Sequence, residues 1–427
     1  MKVLVVGGGG REHAIIKKLK ENKEIEKIYA LPGNGGMAND AECVAIGAKD
    51  IPAIVEFAKT HDIGFAVVAP DDPLVLGAVD ELQKCGIPCF GPEKKAAIIE
   101  GSKVFSKNLM KKYGIPTAAY EVFDSAEKAL AYLEAAPVPT VIKADGLALG
   151  KGVLICRTNA EAEEAVRSMM LENRFGSSGA TIVVEEFLEG PEVSVLAFTD
   201  GNVVRPMTSS MDHKRANDGD EGLNTGGMGT IAPNPYYTPE VAQRCMQEIF
   251  LPTIRAMKAE DRTFKGCLYF GLMITADGPK VIEYNCRFGD PETQVVLPLL
   301  KSDLFDIMRA VENGTLADVD VQFSDASACC VMLASGGYPE SYEKGKVIDL
   351  GKAPEMAEVF HSGTGRNADG ELVTAGGRVL GVCCVRDTLR EAVSAAYAAA
   401  NQVRFDKLHM RTDIGARALA GLNKTEE

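Results

Sequence analysis

A chain of 427 residues is long enough for about three domains, each with its own buried core. Hydrophobic residues make up 46% of it and charged residues 25%, a balance that excludes a disordered chain. Asp and Glu outnumber Lys and Arg by 60 to 46, and the net charge of −14 opposes binding to a nucleic-acid backbone or an anionic membrane. Any phosphate ligand must therefore be held by local Lys, Arg and backbone N–H groups.

No apolar run approaches the ~18 residues that a membrane-spanning helix needs. The opening Met1–Val6 meets a glycine run at Gly7 too soon for a secretory signal. The eleven cysteines lie in apolar stretches, as at Cys156 and Cys267, or in adjacent pairs, and no C-x-x-C occurs. Cys85 and Cys89 have no matching His or Cys cluster for zinc. Buried thiols in a reducing compartment, and so a cytoplasmic protein, are expected.

Lys2–Val6 reads as a short buried strand, followed after the glycine run by a helix from Arg11. Apolar runs at Ile28–Leu31 and Phe65–Ala69 stop at Pro32–Gly36 and Pro70–Pro73. Continuous apolar strands alternating with helices predict a parallel α/β sheet, with ligands at the carboxyl ends of its strands. Helical stretches over Lys94–Lys112 lead to a breaker at Gly114–Pro116. A small α+β module follows, with a glycine loop between two strands, a helix over Ala160–Met170 and a strand over Thr181–Phe187. Longer strands at Cys267–Ile274 and Lys280–Asn285 alternate with helices at Glu240–Met257 and Asp303–Glu312. The tail mixes strands at Ala328–Ala334 and Arg378–Val385 with an Ala-rich helix, Leu389–Gln402. The expected fold class is α/β and α+β, multidomain. An N-terminal α/β substrate domain spans 1–100, a middle domain 101–323 with a lid at about 117–190, and a mixed C-terminal domain 324–427.

A dinucleotide fingerprint needs G-x-G-x-x-G and an acid ~20 residues on for the ribose. Gly7 and Gly9 fit, but Glu12 holds the third position and the second strand ends in Leu31-Pro32 without an acid. NAD is disfavoured, which leaves a strand-to-helix turn able to hold an anion. The loop Lys143–Gly152 is not a Walker loop, since three residues rather than four separate Gly146 from Gly150. Two lysines flanking a glycine hairpin suit a flap that closes over a triphosphate. The alternative is a surface turn with solvated lysines.

Within Ile182–Ser194, apolar residues beside exposed backbone suit a planar base, and an acid just beyond suits a ribose diol. Strand alternation puts Glu283, Asn285 and Arg287 on one face. A carboxylate and an amide oxygen two apart are hard ligands suited to Mg²⁺, and the Arg287 fork suits a substrate carboxylate. A structural salt-bridge ladder is the alternative there. The polar stretches Asp212–Arg215 and Asn224–Gly229 form a long loop for a compact domain, which points to function or disorder. His213 within it reads as positional more readily than as a general base.

Together these segments resemble the phosphoribosylamine–glycine ligases of the ATP-grasp superfamily. The resemblance rests on Gly9–Ala14 (Gly-Gly-Arg-Glu-His-Ala), Pro32-Gly33-Asn34, Glu100–Lys103, Lys143–Val153, Asp212–Arg215, Asn224–Gly229 and Glu283–Glu292. It runs in register from Met1 to Gly415. It implies an ATP-grasp fold between an N-terminal parallel α/β domain and a mixed C-terminal domain. It also implies a step of purine biosynthesis in which ATP, glycine and 5-phospho-D-ribosylamine give ADP, phosphate and glycinamide ribonucleotide through a glycyl phosphate. Such chemistry needs charge neutralisation and exclusion of water more than an enzyme nucleophile.

Residue by residue, the resemblance implies that Lys103, Lys143 and Lys151 meet the ATP phosphates, with Gly146, Leu147, Ala148, Gly150 and Gly152 around them. Glu185, Glu186, Phe187 and Leu188 would hold the adenine, and Glu192 the ribose. Glu283 and Asn285 match the ligands of Mg²⁺ or Mn²⁺. Arg287 would hold the glycine carboxylate and, with Asp290 and Lys151, serve catalysis. Gly9, Gly10, Arg11, Glu12, Asp71, Asp212, Asn224, Thr225, Gly226 and Asp290 would line the substrate end. The chain departs from the family's usual residues at Gly8, Asp71, Leu149, Met211 and Thr230, none of which removes a charge the chemistry needs. No nucleic acid, membrane or obligate protein partner is expected. Two other readings are another ATP-grasp carboxylate–amine ligase and a nucleotide-binding protein without turnover. Lys143, Lys151, Glu283, Asn285 and Arg287 together argue against the second.

Overall fold

A computed structural model describes residues 1–147, 152–172 and 176–425. The expected loop residues Ala148, Gly150 and Lys151, and the departure at Leu149, lie outside them.

Lys2–Gly7 is the middle strand of a five-stranded parallel sheet, ordered Glu42–Cys43, Lys27–Pro32, Lys2–Gly7, Phe65–Val68, Cys89–Phe90. Its apolar run is continuous because both faces are covered: Leu4 and Val6 enter one core, Val3 and Val5 another. Gly7 has φ +127°, and a Cβ there would fall 2.5 Å from Glu12 Cγ, so the turn into helix Gly10–Leu19 requires glycine.

The helical stretch expected over 94–112 is two helices, Lys94–Gly101 and Lys103–Tyr113. They part at Ser102, whose Oγ accepts from the Phe105 N–H as an N-cap. The segment expected as a lid holds a four-stranded antiparallel sheet ordered Tyr120–Phe123, Ile182–Glu186, Thr140–Ala144, Val153–Cys156. Helices Ala126–Leu133 and Asn159–Val166, capped by Ser125 and Thr158, share a core with Ile142 and Val184. The second of these helices runs on as a π turn, Arg167–Leu171.

The central sheet is antiparallel: Val204–Pro206, Glu192–Thr199, Gly266–Thr275, Gly278–Asn285. Its register slips opposite Gly271 and Leu272, so Ile282 bulges from the ladder. The helix expected over Glu240–Met257 is present but carries a π turn at Cys245–Phe250. Pro252 stands two residues beyond it and has no N–H to donate to the preceding turn.

The C-terminal sheet takes strands from two parts of the chain. Met211–Asp212 and Gly229–Ala232 join Ser327–Ser335, Arg378–Arg386 and Glu358–His361, and Leu408–His409 pairs with Ser327–Ser335. Helix Leu389–Ala400 packs Ala392, Ala396 and Ala399 into the core beneath it. Among the described residues no helix is long and apolar enough to cross a membrane. All eleven cysteines are free thiols, and nine are buried.

Candidate active site

The lid and the central sheet meet at Lys143. From the end of strand Thr140–Ala144 its Nζ donates at 3.0 Å to the Ile282 carbonyl, which the bulge has turned out of the ladder. Glu185 Oε2 accepts from Lys143 at 3.0 Å and from Lys107 at 3.1 Å, and all three side chains are buried. Burial pushes Lys107 down to about 8 against the pull of Glu185. Glu185 Oε1 is buried and has no partner among the described residues. Glu186 Oε2 accepts from the Ala119 N–H at 3.2 Å, and Phe187 and Leu188 follow the strand end.

Lys103 Nζ donates to the Gly146 carbonyl at 2.8 Å, and burial holds its ammonium below the ordinary range against the pull of Glu283. Asp145 accepts from Ser102 Oγ at 3.0 Å and from the Val104 N–H at 3.2 Å. The base of the glycine hairpin thus caps helix Lys103–Tyr113. Its far side is closed by the Ala144 N–H donating to the Gly152 carbonyl at 2.8 Å.

Asn285 ends its strand, and Arg287, two residues past that end, lies beside it. Arg287 Nη2 donates to Asn285 Oδ1 at 3.1 Å and to Glu100 Oε1 at 2.9 Å. Glu100 Oε2 in turn accepts from the Cys286 N–H at 2.7 Å. Burial raises the Glu100 carboxyl despite the pull of Arg287. Arg287 Nε is buried without a partner among the described residues. Desolvation acts to raise the half-buried Glu283, yet Lys214, Lys143, Lys103 and Arg287 together hold it below the ordinary range. Lys214 Nζ stands 3.9 Å from Glu283 Oε1 and 3.9 Å from Asp212 Oδ2.

Among the described residues no three His, Cys, Asp or Glu side chains form a metal cage. Glu283 and Asn285 offer one ionised carboxylate and one amide oxygen. That donor set fits Mg²⁺ or Mn²⁺, which take few protein oxygens and complete their shell with water and phosphate.

The remaining residues gather at the other end. Glu12 Oε2 accepts from the Gly9 N–H at 2.6 Å, and its Oε1 pairs with Arg11 Nε at 2.6 Å. The acid that breaks the dinucleotide pattern is thus an internal cap of helix Gly10–Leu19. Arg11 Nη1 donates to the Phe288 carbonyl at 3.0 Å, and Gly10 lies against Gln294 and Ser362. Asp290 Oδ1 accepts from Gln294 Nε2 at 2.7 Å, and its Oδ2 is 3.5 Å from Arg378 Nη2.

Burial acts to raise Asp290, but Arg378 and Arg11 hold it below the ordinary carboxylate range. Arg287 and Arg11 do the same for Asp71. Asp212 goes the other way: burial and the nearby Glu292 raise it well above that range, beyond what Lys214 and Arg378 offset.

The loop after Asn224, which pairs with Arg215 in a hairpin, is pinned at Thr225, whose Oγ1 donates to the Lys214 carbonyl at 2.8 Å. Gly227 (φ +116°) sits between Asp212 Oδ1 and Pro291 Cδ, where a Cβ would fall 2.5 Å from each. Glu192 is exposed at the head of its strand and adds its charge to the surroundings of Lys214. His213 is positional: Nδ1 donates to the Gly229 carbonyl at 3.1 Å and Nε2 accepts from the Gly415 N–H at 3.2 Å. Burial keeps it neutral.

Three family models match in succession: the N domain of phosphoribosylglycinamide synthetase over residues 1–100, its ATP-grasp (A) domain over 101–293 and its C domain over 328–417. The phosphoribosylamine–glycine ligase of Halalkalibacterium halodurans is 50% identical over 421 residues, covering 98% of each chain. The chain belongs to the phosphoribosylglycinamide synthetase family. The phosphoribosylamine–glycine ligase of Caldanaerobacter subterraneus is 48% identical, over 97% of this chain and all of that one (100%). The crystal structure of phosphoribosylamine–glycine ligase from Thermotoga maritima superposes with a TM-score of 0.85 at 34% identity, over 97% of this chain and 100% of that one. A biotin carboxylase from Campylobacter jejuni shares the fold, with a TM-score of 0.75 at 14% identity over 96% of this chain and 92% of that one.

In this synthetase chain, Lys107 and Arg378 stand at the site although sequence reasoning does not single them out. Lys107 follows Lys103 by four residues, a spacing that puts both on one helical face, and that was the available signal. Arg378 has none, because only the C-terminal sheet brings it to Asp290. Glu100 and Lys214 lie within the Glu-Gly-Ser-Lys and Asp-His-Lys-Arg motifs, but the motifs alone give them no role.

Proposed function

We propose that the cleft between lid and central sheet runs the family's reaction through glycyl phosphate, with ATP on the Lys103–Lys143 side and phosphoribosylamine at the Gly9–Asp290 end. The reaction is the ATP-dependent ligation of glycine to phosphoribosylamine, which forms glycinamide ribonucleotide in purine biosynthesis. The observation that carries the residue assignment is the position of Arg287, whose Nη2 bonds the oxygens of Asn285 and Glu100 and whose Nε has no partner among the described residues. A cytoplasmic setting suits the free thiols.

Lys103 and Lys143 neutralise the polyphosphate, and Lys151, which lies outside the described residues, is assigned to the phosphates by the family resemblance alone. Glu185 Oε1 is an unsatisfied acceptor that the exocyclic amine of adenine would satisfy, with the backbone of Glu186–Leu188 beside the base. Glu192 takes the ribose hydroxyls. Glu283 and Asn285 would hold Mg²⁺ or Mn²⁺, which when bound neutralises charge on the ATP phosphates.

Arg287 holds the glycine carboxylate with its guanidinium and aims one carboxylate oxygen at the γ-phosphorus. That oxygen attacks, the bond to ADP breaks, and glycyl phosphate forms. The amine nitrogen of phosphoribosylamine then attacks the carbonyl carbon and gives a proton to Asp290, which its two arginines keep ionised. Phosphate departs with the oxygen that came from glycine.

This path is tested with glycine labelled by ¹⁸O in its carboxylate. The expected phosphate carries a single label per turnover; unlabelled phosphate would exclude the acyl phosphate.

A further inference from the structure

The loops Gly226–Gly227 and Arg287–Pro291 come from separate parts of the chain, and a single side chain from a third joins them. Arg378 opens the strand Arg378–Arg386 of the C-terminal sheet. Its Nη1 donates to the carbonyls of Gly226 at 2.8 Å, Asp290 at 2.7 Å and, more weakly, Gly227 at 3.4 Å. Its Nη2 faces Asp290 Oδ2 at 3.5 Å. The Gly226 peptide is held from its other side as well, because its N–H donates to Tyr338 Oη at 3.1 Å. Neither glycine nearby tolerates a side chain: a Cβ at Gly226 would lie 2.9 Å from Arg378 Cζ, and one at Gly377 would lie 2.2 Å from the Tyr338 ring.

We infer that Arg378 and Tyr338 are the positioning pair through which the C-terminal domain sets the amine-accepting end of the cleft. The guanidinium fixes the Asp290 turn and the Gly226–Gly227 peptides in one mutual register. Arg378 Nη1 donates to main-chain carbonyls and Nη2 faces Asp290 Oδ2, so the residue acts through Asp290 and the loop. A lysine cannot replace it, since one ammonium on a flexible stem does not span carbonyls on two loops and a carboxylate. The inference rests on the reading that this end receives phosphoribosylamine.

The charged groups facing Asp290 are Arg378 from the C-terminal sheet and Arg11 from helix Gly10–Leu19, with Glu12 across Gly9. Both arginines favour the ionised carboxylate. Loss of Arg378 therefore moves the acid limb of the rate profile to higher pH, a change that loosened packing does not produce.

The test is steady-state kinetics of the full chain and of Arg378→Ala, Arg378→Lys and Tyr338→Phe, with each substrate varied in turn. The kcat/KM for phosphoribosylamine is expected to fall about tenfold to a hundredfold in both arginine variants, the range for a hydrogen bond to a charged group, and about threefold to tenfold in Tyr338→Phe. The KM values of ATP and glycine stay within about twofold, the acid limb moves up, and free guanidinium restores part of the Arg378→Ala rate. Equal losses for all three substrates, or an unmoved acid limb with no rescue, overturn the inference. A raised KM for phosphoribosylamine at unchanged kcat and unchanged acid limb makes Arg378 a direct ligand, which overturns it too. If Arg378→Ala does not fold, the lysine and Tyr338→Phe variants decide. Wild-type turnover with a different amine would instead refute the substrate reading, and the split would then be measured with that amine.

Discussion

Arg287 donates through Nη2 to Glu100 Oε1 at 2.9 Å, joining residues 187 apart in the chain. The fork assigned to glycine is therefore aimed by a buried carboxylate, which is itself held by the Cys286 N–H at 2.7 Å. A charged group fixed in this way is oriented before substrate arrives, so less entropy is lost on binding.

Arg287→Lys keeps the charge and loses the fork. The KM for glycine should rise about tenfold or more, the worth of a charged hydrogen bond. Glu100→Gln should act in the same direction with a smaller effect, because the amide oxygen can still accept. Saturation curves for glycine at fixed ATP decide the point, and an unchanged KM in Arg287→Lys removes Arg287 from the glycine pocket.

Glu283→Gln removes the one ionised oxygen from the proposed metal pair. Half-maximal activity should need at least about tenfold more Mg²⁺, since a hard cation loses its charged ligand. Titration of activity with Mg²⁺ at saturating ATP measures this. Full activity at low Mg²⁺ would rule out Glu283 as a ligand.

Glu185→Gln leaves Lys107 and Lys143 buried against a neutral amide. Breaking a buried ion pair by removing one partner costs about 3–5 kcal/mol, so the variant should melt earlier and bind ATP more weakly. Lys107→Met is milder, because Glu185 keeps Lys143 and the replacement is apolar. Denaturant titration of the three proteins ranks them, and a Glu185→Gln variant as stable as the wild type would contradict a structural role for the triad.

Much of the fold is legible in local pattern. The buried run at Lys2–Gly7 and the glycine that ends it define a parallel strand and a turn, both of which are properties of neighbouring residues. What stays hidden depends on partners far along the chain. Met211–Asp212 and Gly229–Ala232 join the C-terminal sheet, and no local period announces the strand they pair with. The family resemblance assigns Glu185 only to the adenine, but Lys107 and Lys143 make it a buried ion-pair centre. The π turn before Pro252 is hidden for another reason: its periodicity differs too little from that of an ordinary helix.

Burial holds His13, His213 and His361 neutral, and it pushes His361 down to about 3. In the unfolded chain each takes a proton near pH 6.5, so below that pH the unfolded state binds more protons than the folded one. Stability is therefore full above about pH 6.5 and falls with pH toward the folded values, by about 1.4 kcal/mol per fully shifted histidine at pH 5.5. Replacing His361 with Asn should flatten the difference between denaturant titrations at pH 7.5 and 5.5 by about that amount. Parallel pH dependences in wild type and variant would show that His361 takes no part.

The most direct test of the whole account is ADP release with Mg-ATP, glycine, and phosphoribosylamine made in place from ribose 5-phosphate and ammonia, leaving out each component in turn. Turnover should require all three, with glycinamide ribonucleotide appearing one-to-one with ADP. ADP release that persists without glycine or without phosphoribosylamine, or ATP binding with no turnover in any combination, would contradict it.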